Sequence, residues 1–348
     1  MSRLGHIADQ LTGGRLTKRE FETRYARYLE TGEWKAGDGE SLTEAFLKSA
    51  GSWLTEASAM TTSAKSTYDF DQAHDVLGLW NAPGSFDRAL KDLTNDGYAI
   101  LDTRLPQNSV DELVAAFAQA PCTLTSDKGT SLSADETVRV SLDAPLAEKY
   151  AVTTNTLVQS DLVRSLLLDQ GLLRIAQAYL GSVPIIDIIT AWYSFPSETP
   201  SHEAAQLFHF DLDRIRWLKV FFLLTDQDLD TGAHIYVPGT QRDGGIDSGL
   251  LSRGYARLED DEVDKFHPRS TWKTMEGRAG VILLEDTRGL HKGTNLTRDH
   301  RLMLQFEYAQ SLFGHKAHLA ATELQPVTDP HWKQMEASYP ETFAALRR

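Results

Sequence analysis

The sequence predicts an α+β protein with a mainly β core, in the form of an antiparallel jelly roll or cupin-like barrel with helices on one face. Helical patterns dominate the first half of the chain, and short apolar runs typical of strands dominate the second half. These strands do not alternate with helices, so the pattern favours an antiparallel sheet over parallel βαβ units. The composition, 41% hydrophobic and 24% charged, is ordinary for a folded globular protein.

The chain of 348 residues exceeds the usual size of one domain. We expect a helical N-terminal region at residues 1–80, a β core with flanking helices at residues 81–325, and a helical tail at residues 326–348. The sequence contains no internal repeat and no low-complexity tract.

The net charge indicates which binding partners are disfavoured, and the cysteine content indicates the cellular compartment. The formal net charge of −14, from 49 acidic and 35 basic residues, disfavours binding to nucleic acid and to anionic membranes. Residues 1–14 lack the apolar segment of a secretory signal, and no apolar run approaches membrane-spanning length. Cys122 is the only cysteine, which excludes an intrachain disulfide. We therefore expect a protein of the reducing cytoplasm.

The N-terminal region shows helical patterns. Thr17 and Glu20 have the spacing of a capping box, which predicts a helix over residues 17–30. A second helix is predicted around residues 42–56, where apolar side chains recur on one face. Neither helix carries metal-ligand spacing, so we expect both to pack on the core.

The first elements of the core follow. Ser85 can cap a helix that Gly97 ends, and a short strand is predicted at residues 98–101. Ser109 and Glu112 have the spacing of another capping box, which predicts a helix that begins there. Residues 123–136 are rich in Ser, Thr, Asp and Gly and predict an exposed loop.

The remaining elements are two helices within residues 160–180 and then mainly strands. The predicted strands, each an apolar run bounded by turn residues, are 185–195, 217–225, 234–237, 281–284 and 301–308.

The most informative pattern is a histidine and a carboxylate just before the strand at residues 217–225. Because side chains alternate along an extended chain, His209 and Asp211 point to the same face and can reach one ion. His291, 82 residues further on (291 − 209), follows another apolar run and is our candidate for a third ligand. Two imidazoles and one carboxylate form the facial triad of non-haem Fe(II) oxygenases.

Arg301 begins a strand that is otherwise apolar, where a charge needs a partner. The carboxylate of a bound acid would be such a partner, because it matches the planar guanidinium in geometry.

The ordered combination of these residues resembles the phytanoyl-CoA dioxygenase family of Fe(II)/2-oxoglutarate oxygenases. The resemblance runs from about Leu90 to Tyr308 and also includes the segment 231–241, TGAHIYVPGTQ. It implies a double-stranded β-helix fold and a set of site residues. By this resemblance the iron ligands are His209, Asp211 and His291, and the residue that binds the distal carboxylate of 2-oxoglutarate is Arg301.

The resemblance also implies cofactors and a reaction. The cofactors would be Fe(II) and 2-oxoglutarate, with O₂. In the reaction 2-oxoglutarate would be converted to succinate and CO₂ while a C–H bond of a small organic molecule is oxidised. Related halogenases replace the carboxylate ligand by a small residue, so Asp211 favours hydroxylation. Desaturation, cyclisation and epimerisation at the same iron stay open, as does a non-catalytic cupin-like protein that binds a metal or a ligand. The sequence does not predict the oligomeric state.

Several further residues are candidates for the co-substrate pocket. Lys219, in the centre of its strand, is an alternative to Arg301 as the ligand of the 2-oxoglutarate carboxylate. Gln206, Trp192 and Thr294 are possible pocket residues. Family members often carry Ser or Thr two positions after the second histidine; here that residue is Gly293, so we expect Thr294 or another hydroxyl to take its place.

Overall fold

The protein is described here by a computed structural model. The residues that the structure describes are 16–65, 67–70, 72, 74–82, 84–124, 136–197, 205–314, 318–319 and 324–346. The loop predicted at residues 123–136 therefore lies almost entirely outside the described residues.

Helices occupy the N-terminal region, the flanks of the core and the tail. They are α1 (Lys18–Thr31), α2 (Asp38–Ser49), α3 (Ser52–Ala64), α4 (Ser85–Asp96), α5 (Gln107–Ala118), α6 (Thr154–Gln159), α7 (Asp161–Leu167), α8 (Gln170–Leu180), α9 (Ser248–Leu251), α10 (Asp260–Asp264) and α11 (Pro330–Ser338). Within the described part of the chain, none of them combines the length and the apolar character that crossing a membrane requires.

Strands form the core. They are β1 (Tyr98–Arg104), β2 (Cys122–Leu124), β3 (Lys149–Val152), β4 (Ile185–Ser194), β5 (Trp217–Leu223), β6 (His234–Tyr236), β7 (Lys273–Met275), β8 (Val281–Glu285), β9 (His291–Gly293) and β10 (Arg301–Ala309). The larger sheet has the order β1-β8-β5-β10-β4-β3-β2 and the smaller sheet the order β7-β6-β9. Every neighbouring pair is antiparallel.

The two sheets pack against each other through an apolar layer to which both contribute. Its members, all buried, are Trp192, Phe221, Leu223, Val281, Leu283 and Met303 from the larger sheet and Tyr236 and Met275 from the smaller sheet. The opposite face of the larger sheet packs against helices, with α4 on β1, α6 on β4 and α8 on β5. This arrangement confirms the predicted antiparallel jelly roll with flanking helices.

The N-terminal helices differ from the prediction in one respect. The capping box at Thr17 is confirmed, because the Glu20 N–H donates to Thr17 Oγ1 at 3.2 Å and the Thr17 N–H donates to Glu20 Oε2 at 2.7 Å. The single helix predicted at residues 42–56 is wrong, since the chain forms α2 and α3 with a sharp turn between them. Ala50 and Gly51 make that turn with φ angles of 48° and 97°, which a continuous helix does not allow.

Two other helix starts were misplaced. Helix α4 begins at Ser85 itself, after Gly84 at the N-cap. Helix α5 begins at Gln107, because Pro106 precedes the first turn and the Ser109 N–H donates to the Pro106 carbonyl at 2.9 Å. Local spacing therefore identified the helices but not these first residues.

The N-terminal helices reach the part of the core that carries the candidate ligands. Phe46 of α2 packs on Phe210, the residue between His209 and Asp211, with ring centroids 5.2 Å apart. Tyr25 of α1 packs edge-on against Phe313 at 5.1 Å. The boundaries proposed at residues 80 and 325 stay a prediction.

Candidate metal centre

The three residues proposed as metal ligands lie together. His209 and Asp211 come from the segment before β5, and His291 is the first residue of β9. His209 Nε2 lies 3.8 Å from Asp211 Oδ1, and His291 Nε2 lies 3.6 Å from Asp211 Oδ2. One ligand atom from each residue lies within 4.8 Å of the others. Donor atoms about 2.1 Å from a shared ion are at most about 4.2 Å apart, and both of the separations from Asp211 fall within that limit.

Backbone pairing brings the two histidines together across 82 residues of sequence (291 − 209). The His209 N–H donates to the His291 carbonyl at 3.0 Å, and the His291 N–H donates back at 2.9 Å. Residues opposite each other in an antiparallel pair face the same side, so both rings point into the space between the sheets. The Asp211 N–H donates to the Thr287 carbonyl at 2.7 Å, which fixes the third ligand beside them.

The turn before His291 is stabilised by buried polar contacts. Arg288 Nη2 lies 2.6 Å from Asp286 Oδ2, and both side chains are buried. The Tyr236 hydroxyl donates to the Asp286 carbonyl at 2.7 Å, while the Leu290 N–H donates to Thr240 Oγ1 at 2.8 Å. Strand β9 therefore starts from a rigid turn that orients His291.

Each imidazole is oriented for binding through Nε2. His209 Nδ1 lies 2.9 Å from the Leu207 carbonyl, and His291 Nδ1 lies 2.9 Å from the Gly289 carbonyl. A carbonyl accepts only, so Nδ1 carries the proton and Nε2 presents its lone pair. Burial lowers the pKa of both histidines below the ordinary value, which keeps the rings neutral. This is the protonation state that a metal ion requires.

Asp211 is held in its ionised form. Burial alone would raise its pKa, but the charge of the Lys219 ammonium and the hydrogen bond from it bring that pKa well below the ordinary range. Lys219 Nζ lies 2.7 Å from Asp211 Oδ2, 2.9 Å from Asp213 Oδ2 and 3.6 Å from Glu307 Oε2. The sequence offered Lys219 as a co-substrate ligand, whereas in the structure its ammonium contacts a candidate metal ligand.

Arg301 is a buried cation without an acidic partner among the described residues. Its Nη1 donates to the Gly232 carbonyl and its Nη2 donates to Ser194 Oγ at 3.3 Å, while Nε has no partner in the described part of the chain. Burial lowers its pKa to about 10, and no carboxylate opposes that effect. A buried guanidinium of this kind has the charge and geometry to bind an anion.

Two glycines make room for this guanidinium. A Cβ atom at Gly293 would lie 2.9 Å from Arg301 Nη1, and a Cβ at Gly232 would lie 3.1 Å from Arg301 Cδ. Gly293 is two residues after His291 on β9, so the guanidinium lies beside the metal ligands, where a longer side chain would otherwise project. This explains why glycine replaces the Ser or Thr expected at that position.

The other candidates take different places. Trp192 belongs to the apolar layer and is opposite Met303 of β10. Thr294 is buried, and its Oγ1 has no hydrogen-bond partner within the described ranges. Gln206 is buried next to Ala205, whose carbonyl accepts the Gly293 N–H at 2.9 Å. The hydroxyl that contacts Arg301 is Ser194, not Thr294.

Sequence reasoning missed three polar residues around the site, which are Ser194, Lys149 and Arg257. Ser194 ends β4 opposite both Arg301 and Lys149. Arg257 follows α9 in an irregular segment next to Leu258, which pairs with Phe208. None of them belongs to a motif, because their roles depend on which strands become neighbours.

The family model described as phytanoyl-CoA dioxygenase (PhyH) matches residues 93–303, which include the three candidate ligands and Arg301. The search of curated proteins found no match.

Three solved structures illustrate the structural similarity. The non-haem alpha ketoglutarate dependent epimerase SnoN from nogalamycin biosynthesis is 19% identical, with 65% of this chain and 83% of that chain covered and a TM-score of 0.44. EctD from S. alaskensis with bound Fe is 19% identical, with 64% of this chain and 75% of that chain covered and a TM-score of 0.44. HygX from Streptomyces hygroscopicus, with nickel and 2-oxoglutarate bound, is 18% identical, with 64% and 85% covered and a TM-score of 0.44.

Proposed function

The chain belongs to the phytanoyl-CoA dioxygenase family, and we propose that it is an Fe(II)/2-oxoglutarate-dependent dioxygenase that hydroxylates an unactivated C–H bond of a small organic molecule. The cofactors of this family are Fe(II) and 2-oxoglutarate, with O₂ as co-substrate. The observation that carries the proposal is a cluster of two neutral imidazoles and one ionised carboxylate beside a buried guanidinium that lacks an acidic partner among the described residues.

In this proposal His209, Asp211 and His291 hold the iron. The donor set fits Fe(II), since two imidazoles and one carboxylate leave coordination positions for a co-substrate. When bound, iron and 2-oxoglutarate would supply the oxidising chemistry, in which one oxygen atom of O₂ enters succinate as the 2-oxo acid loses CO₂ and the other converts the C–H group of the substrate to C–OH. The chain itself orients the imidazoles through the Leu207 and Gly289 carbonyls and keeps Asp211 ionised through Lys219.

Arg301 is the residue that we assign to the distal carboxylate of 2-oxoglutarate. Its free Nε and its burial support this role, because an unpaired buried cation gains most from a carboxylate. Lys219 already contacts two carboxylates at 2.7 and 2.9 Å, so we assign it to positioning Asp211 rather than to the co-substrate.

Hydroxylation is favoured over halogenation by Asp211, which occupies the ligand position that halogenases leave to halide. Desaturation, cyclisation and epimerisation use the same set of ligands, so the mass of the product distinguishes them. A gain of one oxygen atom supports hydroxylation, whereas a loss of two hydrogen atoms or an unchanged mass refutes it.

A small organic substrate and a cytoplasmic location complete the proposal. The space between the sheets is bordered by Trp192, Phe221 and Met303, which suits a small molecule. Cys122 is buried and free, which agrees with a reducing compartment.

The experiment is succinate release from 2-oxoglutarate by the purified protein with Fe(II), ascorbate and O₂. We expect release from the wild-type protein and none from the His209→Ala variant, which should also fail to bind Fe(II). His331→Ala is the matched control, since His331 lies on α11. A His209→Ala protein that still binds iron and forms succinate would refute the assignment, and a wild-type protein that binds metal without turnover would favour the non-catalytic alternative.

A further inference from the structure

Arg257 is in register with the candidate iron ligands. The Leu258 N–H donates to the Phe208 carbonyl at 2.9 Å, and the Phe208 N–H donates back at 3.0 Å, so these two residues are an antiparallel pair. The next pair along is Arg257 and His209, and His209 in turn pairs with His291. Residues in one such row share a face, so Arg257 lies on the same side as both imidazoles.

The charge of Arg257 has no acidic partner in the part of the chain that the structure describes. Its Nη1 is buried and makes no hydrogen bond there. The backbone places it at the edge of the small sheet, in the irregular segment between α9 and α10. A buried guanidinium nitrogen without an acceptor carries a free-energy penalty that a bound oxyanion would remove.

Lys149 is a second cation near the site without an acidic partner among the described residues. On the larger sheet Lys149 is opposite Ser194, which is itself opposite Arg301. The three side chains therefore share one face of that sheet, the face toward the smaller sheet, which we call the inner face. Its ammonium lies 5.1 Å from the Trp192 ring centroid. Burial and the nearby positive charges of Arg301, Arg257 and Lys219 lower its pKa to about 8, and no described acid counteracts them.

The other charges of the inner face already have partners. Lys219 contacts Asp211 and Asp213, and the proposed function gives Arg301 the distal carboxylate of 2-oxoglutarate. Glu285 lies 3.0 Å from His234 Nδ1. Once iron and 2-oxoglutarate are bound, Arg257 and Lys149 are the described cations left facing the site without an anion.

We propose that Arg257, together with Lys149, forms an oxyanion-binding site for the substrate, which is therefore an acidic small molecule that carries a carboxylate or a phosphate group. The inference rests on the proposed function and specifies its substrate class. The acid group would be held beside His209, so that an uncharged part of the substrate faces the iron. A guanidinium and an ammonium bind oxyanions in preference to amides or esters.

The test is calorimetric titration of the anaerobic protein, saturated with Fe(II) and 2-oxoglutarate, with three probes. Benzoate and phenyl phosphate carry the two oxyanions, and benzamide is the uncharged control. We expect at least one anion to bind and benzamide to bind at least about tenfold more weakly. Arg257→Gln should weaken anion binding about tenfold to hundredfold, and Arg257→Lys should fall between Arg257→Gln and wild type.

Arg253→Gln is the matched control, because Arg253 lies in the same segment but is exposed and paired with Glu262. It should bind the anions as the wild type does, and thermal melting checks that every variant is folded. Equal binding of benzoate and benzamide, no binding of either anion, or wild-type anion binding by Arg257→Gln would overturn the inference. A higher 2-oxoglutarate requirement in Arg257→Gln or Lys149→Met would overturn the inference as well, because it would show that the replaced residue binds the co-substrate. Loss of iron binding or of succinate release by the wild type would instead remove the proposed function.

Discussion

The guanidinium of Arg301 occupies the space that a side chain at Gly293 would need, and this makes Gly293→Ala a specific test of the co-substrate site. A Cβ there would lie 2.9 Å from Nη1, whereas nonbonded heavy atoms prefer about 3.5–4.0 Å. Gly293 has no positive φ angle, so alanine adds no backbone strain. The guanidinium must therefore move by roughly 0.5 Å or more.

The size of the effect follows from how Arg301 is held. It is only 3% exposed, and its nitrogens donate to the Gly232 carbonyl and to Ser194 Oγ. Because the end of a long side chain shifts more easily than backbone, we expect a loss of stability of about 1 kcal/mol, at the low end for overpacking. Misalignment of a charge-assisted pair with 2-oxoglutarate costs about 1.5–3 kcal/mol, so the half-saturating 2-oxoglutarate concentration should rise about tenfold to hundredfold.

The assay is succinate release as a function of 2-oxoglutarate concentration, with Fe(II) affinity measured separately. Gly249→Ala is the control, since its Cβ would meet the ring of Phe266, which is 44% exposed and can move into solvent. Fe(II) affinity should be unchanged in both variants. A Gly293→Ala enzyme with the 2-oxoglutarate requirement of the wild type, or one that loses iron binding instead, would refute the assignment of Arg301.

Four further predictions concern the metal and the cations around it. Lys219→Met removes the 2.7 Å contact to Asp211 and should lower Fe(II) affinity about tenfold or more with little change in the 2-oxoglutarate requirement; the opposite result would make Lys219 the co-substrate ligand. Mn(II) at about a hundredfold its Kd should stabilise the wild-type protein by about 2.7 kcal/mol in thermal melting, and a similar gain in His209→Ala would place the ion elsewhere. The Lys149 pKa of about 8 means that benzoate affinity should fall as pH rises through about 8, while Lys149→Met should show no such fall. The folded protein loses this proton near pH 8, whereas the unfolded chain keeps it up to the ordinary lysine pKa of 10.5, so the free energy of unfolding should rise with pH between about 8 and 10.5 relative to Lys149→Met. Parallel curves for the two proteins would argue against the lowered pKa.

Much of the fold could be predicted because its signals are local. Apolar runs predicted β4, β5, β6, β8 and β10, whereas the short strands β7 and β9 carry no such run and were not predicted. The capping box at Thr17 predicted the start of α1. The break between α2 and α3 was missed because Ala50, a strong helix former, adopts a left-handed conformation there. Tertiary contacts overrode the local preference at this turn.

The candidate metal ligands and the candidate anion ligand could be identified from the amino-acid sequence alone. His209 and Asp211 are two residues apart, so alternation alone predicts that they share a face. His291 follows an apolar run, and Arg301 begins an apolar strand. The residues that surround them could be identified only from the folded chain. Lys219 contacts Asp211, Gly293 makes room for Arg301, and Arg257 joins the row of His209 and His291. These relations depend on the register between strands that are distant in sequence, and a shift of one residue would turn each side chain to the opposite face.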